Sequence, residues 1–234
     1  MNYFDMEIGD EPIMGITKNT ADRVLRRQMR YGGEMKTHMD STIEYMDMRL
    51  LSHRHNCAEH DEDFLQVVPC VMVQGVPTRM VRTVQGNTPG YDGKLISLCA
   101  HDHIRQNMTI RETVDMLLER LHIAPDQVMD KIVVGISIPN EKPACGKHLL
   151  VMYLCRVIDF RERDEELRDA SLLWVDPCEL REPQRVERFD PWCRLTYPYL
   201  LTVADATARD ITMRFFMEDG KQKMQIIPNR SIGA

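Results

Sequence analysis

The sequence predicts a mixed α/β fold built around one central helix. Three observations predict it. Strongly β-forming apolar runs stand at Phe64–Val73, Lys131–Ile138 and His148–Ile158. A single clean amphipathic stretch, Thr109–His122, lies between the first run and the other two. Glycine, proline and asparagine punctuate the chain between these runs, as turns require. The resulting order, three strands, a helix and three strands, is not the regular strand–helix alternation of a doubly wound parallel sheet.

In chain order, residues 1 to about 50 are polar, methionine-rich and poorly periodic, with one helix expected. Asn19 or Thr20 would cap it, Asp22 sits in its first turn, and Gly32-Gly33 would stop it. Phe64–Val73 reads as a buried strand interrupted by Pro69 and followed by a turn at Gly75-Val-Pro77. Arg79–Val84 is its candidate partner, Gly86–Gly93 a loop and Lys94–Ala100 a third strand. In the central helix Thr109 can cap, with Glu112 three residues on as its capping-box partner. Its apolar positions 110, 114, 117, 118 and 121 recur at helical spacing. Lys131–Ile138, His148–Ile158 and Ser171–Val175 complete the strands. A further helix or strand at Arg209–Met217, a turn at Glu218-Asp-Gly220 and the segment Met224–Ile227 suggest a hairpin.

Composition sets outer limits. Of the 234 residues, 43% are hydrophobic and 28% charged, enough for a buried core and too ordinary for a disordered chain or a fibre. The longest apolar runs are strand-sized, and the acidic start does not resemble a secretory signal, so a soluble cytoplasmic protein with no membrane association is expected. A net charge of −6 argues against a surface that grips nucleic acid all over, while leaving room for a local basic patch. Arg23, Arg26, Arg27 and Arg30 would form such a face on the N-terminal helix, suited to a nucleotide, RNA or an acidic protein surface. Seven dispersed cysteines with no Cys-x-x-Cys pair read as reduced, mostly buried thiols. Seventeen methionines suit a deformable core or a subunit contact, so a homo-oligomer is among the expected arrangements.

The block from Val67 to Ile123 resembles the Nudix hydrolase fold, and more narrowly a Nudix subfamily of predicted phosphoesterases. Matching landmarks are Arg54, Ala58-Glu59-His60-Asp61, Gln66-Val67-Val68-Pro69 and Gly93-Lys-Leu-Ile-Ser-Leu-Cys-Ala-His-Asp-His103-Ile104. After the helix come Val134-Gly-Ile-Ser137, His148-Leu149, Trp174-Val175 with Glu179-Leu180, and Phe189-Asp-Pro-Trp192-Cys193. The resemblance implies a Nudix-like α/β/α sandwich with a mixed sheet. It divides the chain into an N-terminal extension (1–50), a Nudix-like domain (51–203) and a C-terminal appendage (204–234).

Nudix enzymes hydrolyse nucleoside diphosphate derivatives with divalent cations, usually magnesium. Their box has the form Gly-x5-Glu-x7-Arg-Glu-U-x-Glu-Glu-x-Gly-U, with U aliphatic. Glutamates at i, i+3 and i+4 share one helix face, where their oxygens can converge on a hard cation. Aligned so that its final Gly-U falls on His122-Ile123, the box places His101 on its first glycine and Asn107 on the loop glutamate. Asp115-Met116 then stands for Arg-Glu and Glu119-Arg120 for Glu-Glu. One glutamate of four remains, and Arg120 brings a positive charge where a ligand belongs. A second alignment, one turn earlier, places Arg111-Glu112 on the Arg-Glu pair, and Glu112, Asp115 and Glu119 then share a face as catalytic and metal-binding candidates. Acids at a helix start also commonly just solvate an exposed face.

His101 and His103 are binding candidates, with His103 matching the subfamily histidine. Imidazoles at alternate positions could also hold zinc or iron. Glu59 and Asp61 fall on subfamily positions as well. The expected function is a Nudix-fold protein that has lost pyrophosphohydrolase activity and acts by binding a nucleotide, RNA or a protein, with no cofactor. The alternative is a divergent phosphohydrolase using Mg2+ through Glu112, Asp115 and Glu119.

Overall fold

A computed structural model describes residues 11–30, 35–76, 78–87, 94–139, 147–158, 172–208, 211–218 and 221–228. Its centre is the long strand β3 (Phe64–Val76), reached after β1 (Pro12–Thr17), α1 (Lys18–Arg30), α2 (Met35–Asp47), β2 (Leu51–Arg54) and the single turn α3 (His55–Ala58). Then follow β4 (Val81–Asn87), β5 (Lys94–Ser97), β6 (Ala100–His101), β7 (Ile104–Arg105) and helix α4 (Ile110–Arg120). The second half holds β8 (Val128–Ser137), β9 (His148–Ile158), β10 (Leu172–Val175), α5 (Pro183–Val186), α6 (Pro191–Ala208), β11 (Ile211–Glu218) and β12 (Lys221–Pro228).

Strands β1 to β10 form one mixed sheet. β3 and β9 run parallel, with Gln66 opposite His148 and Val76 opposite Ile158, and β8 adds to β9 antiparallel. On its other flank β3 pairs antiparallel with β1, β6 and β4. β3 is buried at every position but its last, which explains why it reads as an apolar run with no alternation. The interruption expected at Pro69 does not occur: β3 runs through it. On the flank away from β9, the β1 pairing ends at Gln66 and the β6 pairing begins at Cys70, so Pro69 falls in a gap of the ladder.

Side chains alternate across the sheet. Val67, Val71 and Val73 with Leu149, Val151 and Tyr153 pack against Val24 of α1, Ile43 and Met46 of α2, and Ile110, Val114 and Leu117 of α4. Val68, Cys70 and Met72 with Leu150, Met152 and Leu154 pack against Cys193, Leu200, Leu201 and Ala204 of α6. The architecture is thus an α/β/α sandwich with a mixed sheet. Helices α2 and α6 add to the single central helix and the N-terminal helix that the sequence predicts. Residues 12–54, which carry little periodicity, supply two strands of the sheet and part of this core.

α6 begins on Asp190, whose Oδ1 accepts from the backbone N–H groups of Trp192 and Cys193 at 2.9 and 3.0 Å, with Pro191 at the first helical position. The expected C-terminal hairpin forms as β11 and β12, paired from Ile211–Pro228 to Glu218–Lys221. The loop expected at 86–93 lies largely outside the described residues, as do Gly32 and Gly33. No described helix is long and apolar enough to cross a membrane.

Candidate functional site

Helix α4 starts as its sequence dictates. The Thr109 Oγ1 accepts from the Glu112 N–H at 3.2 Å, and the Glu112 carboxylate accepts from the Thr109 backbone N–H and hydroxyl, both at 2.8 Å. Those bonds, the backbone one foremost, hold the Glu112 carboxyl below its usual range. Asp47 of α2 takes the next amide, that of Ile110, at 2.9 Å, and burial pushes the Asp47 carboxyl up.

The helix ends in a Schellman motif. His122 N–H donates to the Glu119 carbonyl at 2.9 Å and Ile123 N–H to the Leu118 carbonyl at 3.0 Å, while His122 takes the left-handed region at φ 58°. The buried Leu118 and Ile123 supply the apolar contact that usually accompanies it. A glycine prefers that backbone position, and it is where the first alignment puts the final glycine of the box. Asn107, on the loop glutamate of that alignment, is also left-handed, at φ 66°.

The acids of this helix have local engagements. Glu112 closes the cap. Asp115 forms an ion pair with Lys131 of β8. Glu119 is exposed. Arg120 lies 2.6 Å from the carboxylate of the buried Asp102 and donates to the Met116 sulfur at 3.7 Å. Among the described residues no three His, Cys, Asp or Glu side chains are gathered as a metal's ligands. Glu112, Asp115 and Glu119 do line one exposed face of α4, as their spacing requires.

A second constellation forms on the opposite side of the sheet. His55 and His103 ring centroids are 4.5 Å apart, those of His103 and His148 5.6 Å, those of His148 and Trp192 5.2 Å and those of Trp192 and His101 5.0 Å. His148 lies beside Gln66 across the β3–β9 ladder, on the α6 face. Gln66 donates to Glu59 at 2.7 Å, and Glu59 lies 3.9 Å from His148 Nε2. His103 is 7% exposed, and neither of its ring nitrogens has a hydrogen-bond partner among the described residues. Burial, then the neighbouring His55, His148 and His101, lowers the His103 pKa to about 3, so it is neutral.

Beneath His101 lies a thiol group. The neighbouring Cys70 thiol, and after it His101, bring Cys99 below the usual thiol range against its burial, and Cys70 is raised in turn. Burial lowers His101, but its bond to Cys99 and the charges of Asp190 and Asp102 outweigh that and raise it. Thr196 of α6 contacts the Cys99 sulfur at 3.3 Å. All six described cysteines are free thiols.

The structure therefore separates the sequence candidates. Glu112, Asp115 and Glu119 stand on α4, His101 and His103 in the ring cluster across the sheet. Glu59 joins that cluster, whereas Asp61 turns to His53 at 3.3 Å. Arg23 and Arg26 of α1 are exposed, and the side chains of Arg27 and Arg30 lie outside the described residues. Sequence reasoning missed His55 as a neighbour of His103, and Gln66 and Trp192 as members of the same cluster, Gln66 through Glu59 and Trp192 through His148 and His101. Gln66 and Trp192 stand within matched landmarks, but nothing in their spacing joins them.

No family model matches this chain, and no curated protein matches its sequence. Solved structures do. The crystal structure of Tm1382, assigned as a Nudix hydrolase, aligns with 82% of this chain and 100% of its own at 20% identity and a TM-score of 0.53. A NUDIX hydrolase from Nitrosomonas europaea aligns with 60% of this chain and 90% of its own at 11% identity, TM-score 0.40. The solution structure of the E. coli ORF135 protein aligns with 62% and 93% at 12% identity, TM-score 0.34. The likeness to Tm1382 covers most of both chains. This chain has the Nudix fold.

Proposed function

We propose that this Nudix-fold chain has lost pyrophosphohydrolase chemistry and acts by binding a nucleotide. One observation carries the reading: the places on α4 where a Nudix helix would present metal-ligating carboxylates are otherwise engaged. Met116 offers no oxygen, Arg120 is a cation held against Asp102, Asp115 is paired with Lys131, and Glu112 closes the helix cap. A hard cation needs several oxygen ligands, and these residues do not fit one. The Schellman end at His122 supports the alignment in which the box is degenerate.

The test is calorimetric titration with magnesium beside a hydrolysis screen over nucleoside diphosphate derivatives. We expect no magnesium binding at millimolar concentration, no turnover above a blank, and ADP binding unchanged by a chelator. Magnesium-dependent hydrolysis abolished by Glu112→Gln, Asp115→Asn or Glu119→Gln would establish the metal-dependent phosphohydrolase instead.

A further inference from the structure

Free cysteines usually fill cores as small hydrophobes, and scattered ones call for no further account. Three of the six described here are not scattered. Cys155 packs in the core that faces α1, α2 and α4, while Cys57 and Cys178 are exposed. Cys70 of β3, Cys99 just before β6 and Cys193 of α6 instead gather on the opposite face of the sheet, all buried. Strand register brings the first two together. His101 stands opposite Cys70 in the β3–β6 ladder, and residues two apart along a strand share a face. Cys99 is therefore one diagonal step from Cys70, within side-chain reach.

The setting of Cys99 is polar. Its sulfur lies 3.3 Å from the Thr196 hydroxyl of α6, and its carbonyl accepts from the Ser97 hydroxyl at 2.9 Å. The Cys70 thiol and the His101 imidazole both favour its thiolate, against burial and the charge of Asp190. Cys193 feels Cys99 only through charge, and burial keeps it a thiol. A thiolate beside a thiol is the pair that disulfide formation needs: one attacks the oxidant and the other resolves the product. A thiol that merely packs needs neither an imidazole nor a second thiol next to it. Cys99 keeps 3% of its surface exposed and His101 is only partly buried, so the oxidant suited to this place is a very small one.

We propose that Cys70 and Cys99 form a peroxide-responsive dithiol, which closes to a disulfide on reaction with hydrogen peroxide. This modification site goes beyond the binding function above and does not depend on it. The Cys99 proton passes to His101, and the thiolate attacks one peroxide oxygen. The O–O bond breaks, Cys99 becomes a sulfenic acid, and the departing hydroxide takes the proton back from His101 as water. Cys70 then attacks the Cys99 sulfur. The S–S bond forms, the S–O bond breaks, and the leaving hydroxide carries off the Cys70 proton as a second water. Two thiols are oxidised and one peroxide is reduced.

The experiment uses the full chain, reduced, freed of reductant and then treated with hydrogen peroxide. Alkylation of the remaining thiols and peptide mapping by mass spectrometry should find Cys70 joined to Cys99, two hydrogens lighter, and released again by dithiothreitol. Cys99→Ser should leave Cys70 a free thiol, and Cys70→Ser should stop at a Cys99 sulfenic acid that dimedone traps. Should these variants fail to fold, the wild-type peptide map decides alone. Cys70 and Cys99 both recovered as thiols once the exposed Cys57 and Cys178 have been oxidised would overturn the site. So would a disulfide joining Cys99 to Cys193, or a Cys70–Cys99 link that forms only in urea. Nucleotide binding or magnesium-dependent turnover bears on the function proposed above and leaves this result as it stands.

Discussion

Placing His103 next to His55, His148 and His101 sets up a proton linkage that the unfolded chain lacks. Unfolded, its imidazole titrates near 6.5; folded, burial and the three neighbouring rings hold it at about 3. The folded state therefore binds fewer protons between those values, and stability must rise with pH across that window. The contribution is complete above 6.5 and is lost as pH falls toward 3. Between pH 7.5 and pH 5 it amounts to about 2 kcal/mol, from one unit being worth about 1.4 kcal/mol. Glu59 borders the cluster, Asp102 faces Arg120, and His101, whose own value is raised, works in the opposite direction. The informative quantity is thus the difference between chains. Urea unfolding at both pH values should show the wild type losing about 2 kcal/mol more than His103→Phe; parallel losses would mean that His103 is not held neutral by its surroundings.

Helix α4 was legible because its signals are local. Thr109 and Glu112 define its start, the apolar spacing defines its buried face, and the structure realises both. Replacing Thr109 by alanine removes the acceptor for the Glu112 amide and the hydroxyl that binds its carboxylate, so we expect a loss of about 1 kcal/mol with the urea midpoint lowered and the slope unchanged. A loss near zero would show that the exposed cap is replaced by water without cost. α6 was not legible for the opposite reason. Its cap and first residue, Asp190-Pro191, lie inside a family landmark, and Pro198 within the helix reads as a break. β1 was hidden by its shortness and by Gly15, which no strand pattern favours. The structure supplies the reason for that glycine: a Cβ there would lie 2.3 Å from the Leu65 carbonyl oxygen and 2.4 Å from the Phe64 ring. The ring cluster was invisible because its members come from α3, β3, β6, the loop after β6, β9 and α6. Only the parallel pairing of β3 with β9 and the packing of α6 bring them together.

At the scale of the whole molecule, charge is the property left over. The chain carries a net charge of −6, yet α1 turns Ala21 and Val24 into the core and Arg23 and Arg26 to solvent. Like charges three residues apart on a helix cost a few tenths of a kcal/mol, so a basic face is held against a small penalty. Arginine's planar fork suits phosphate oxygens, and phosphate contacts weaken steeply as salt releases the advantage of displaced counterions. The expected partner of this face is therefore a phosphate backbone, with RNA as the probe. The double substitution Arg23→Glu and Arg26→Glu leaves the buried side of α1 intact, so melting should change little. Binding of a single-stranded RNA oligonucleotide, followed by fluorescence anisotropy at 50 and 200 mM salt, should fall with salt in the wild type and drop at least tenfold in the double variant at the lower concentration. If the melting curves agree and the RNA titrations coincide, α1 presents a solvated face and no more. If RNA binding is unchanged but sedimentation shows a different oligomeric state, the acidic surface that Arg23 and Arg26 meet belongs to a second copy of this chain.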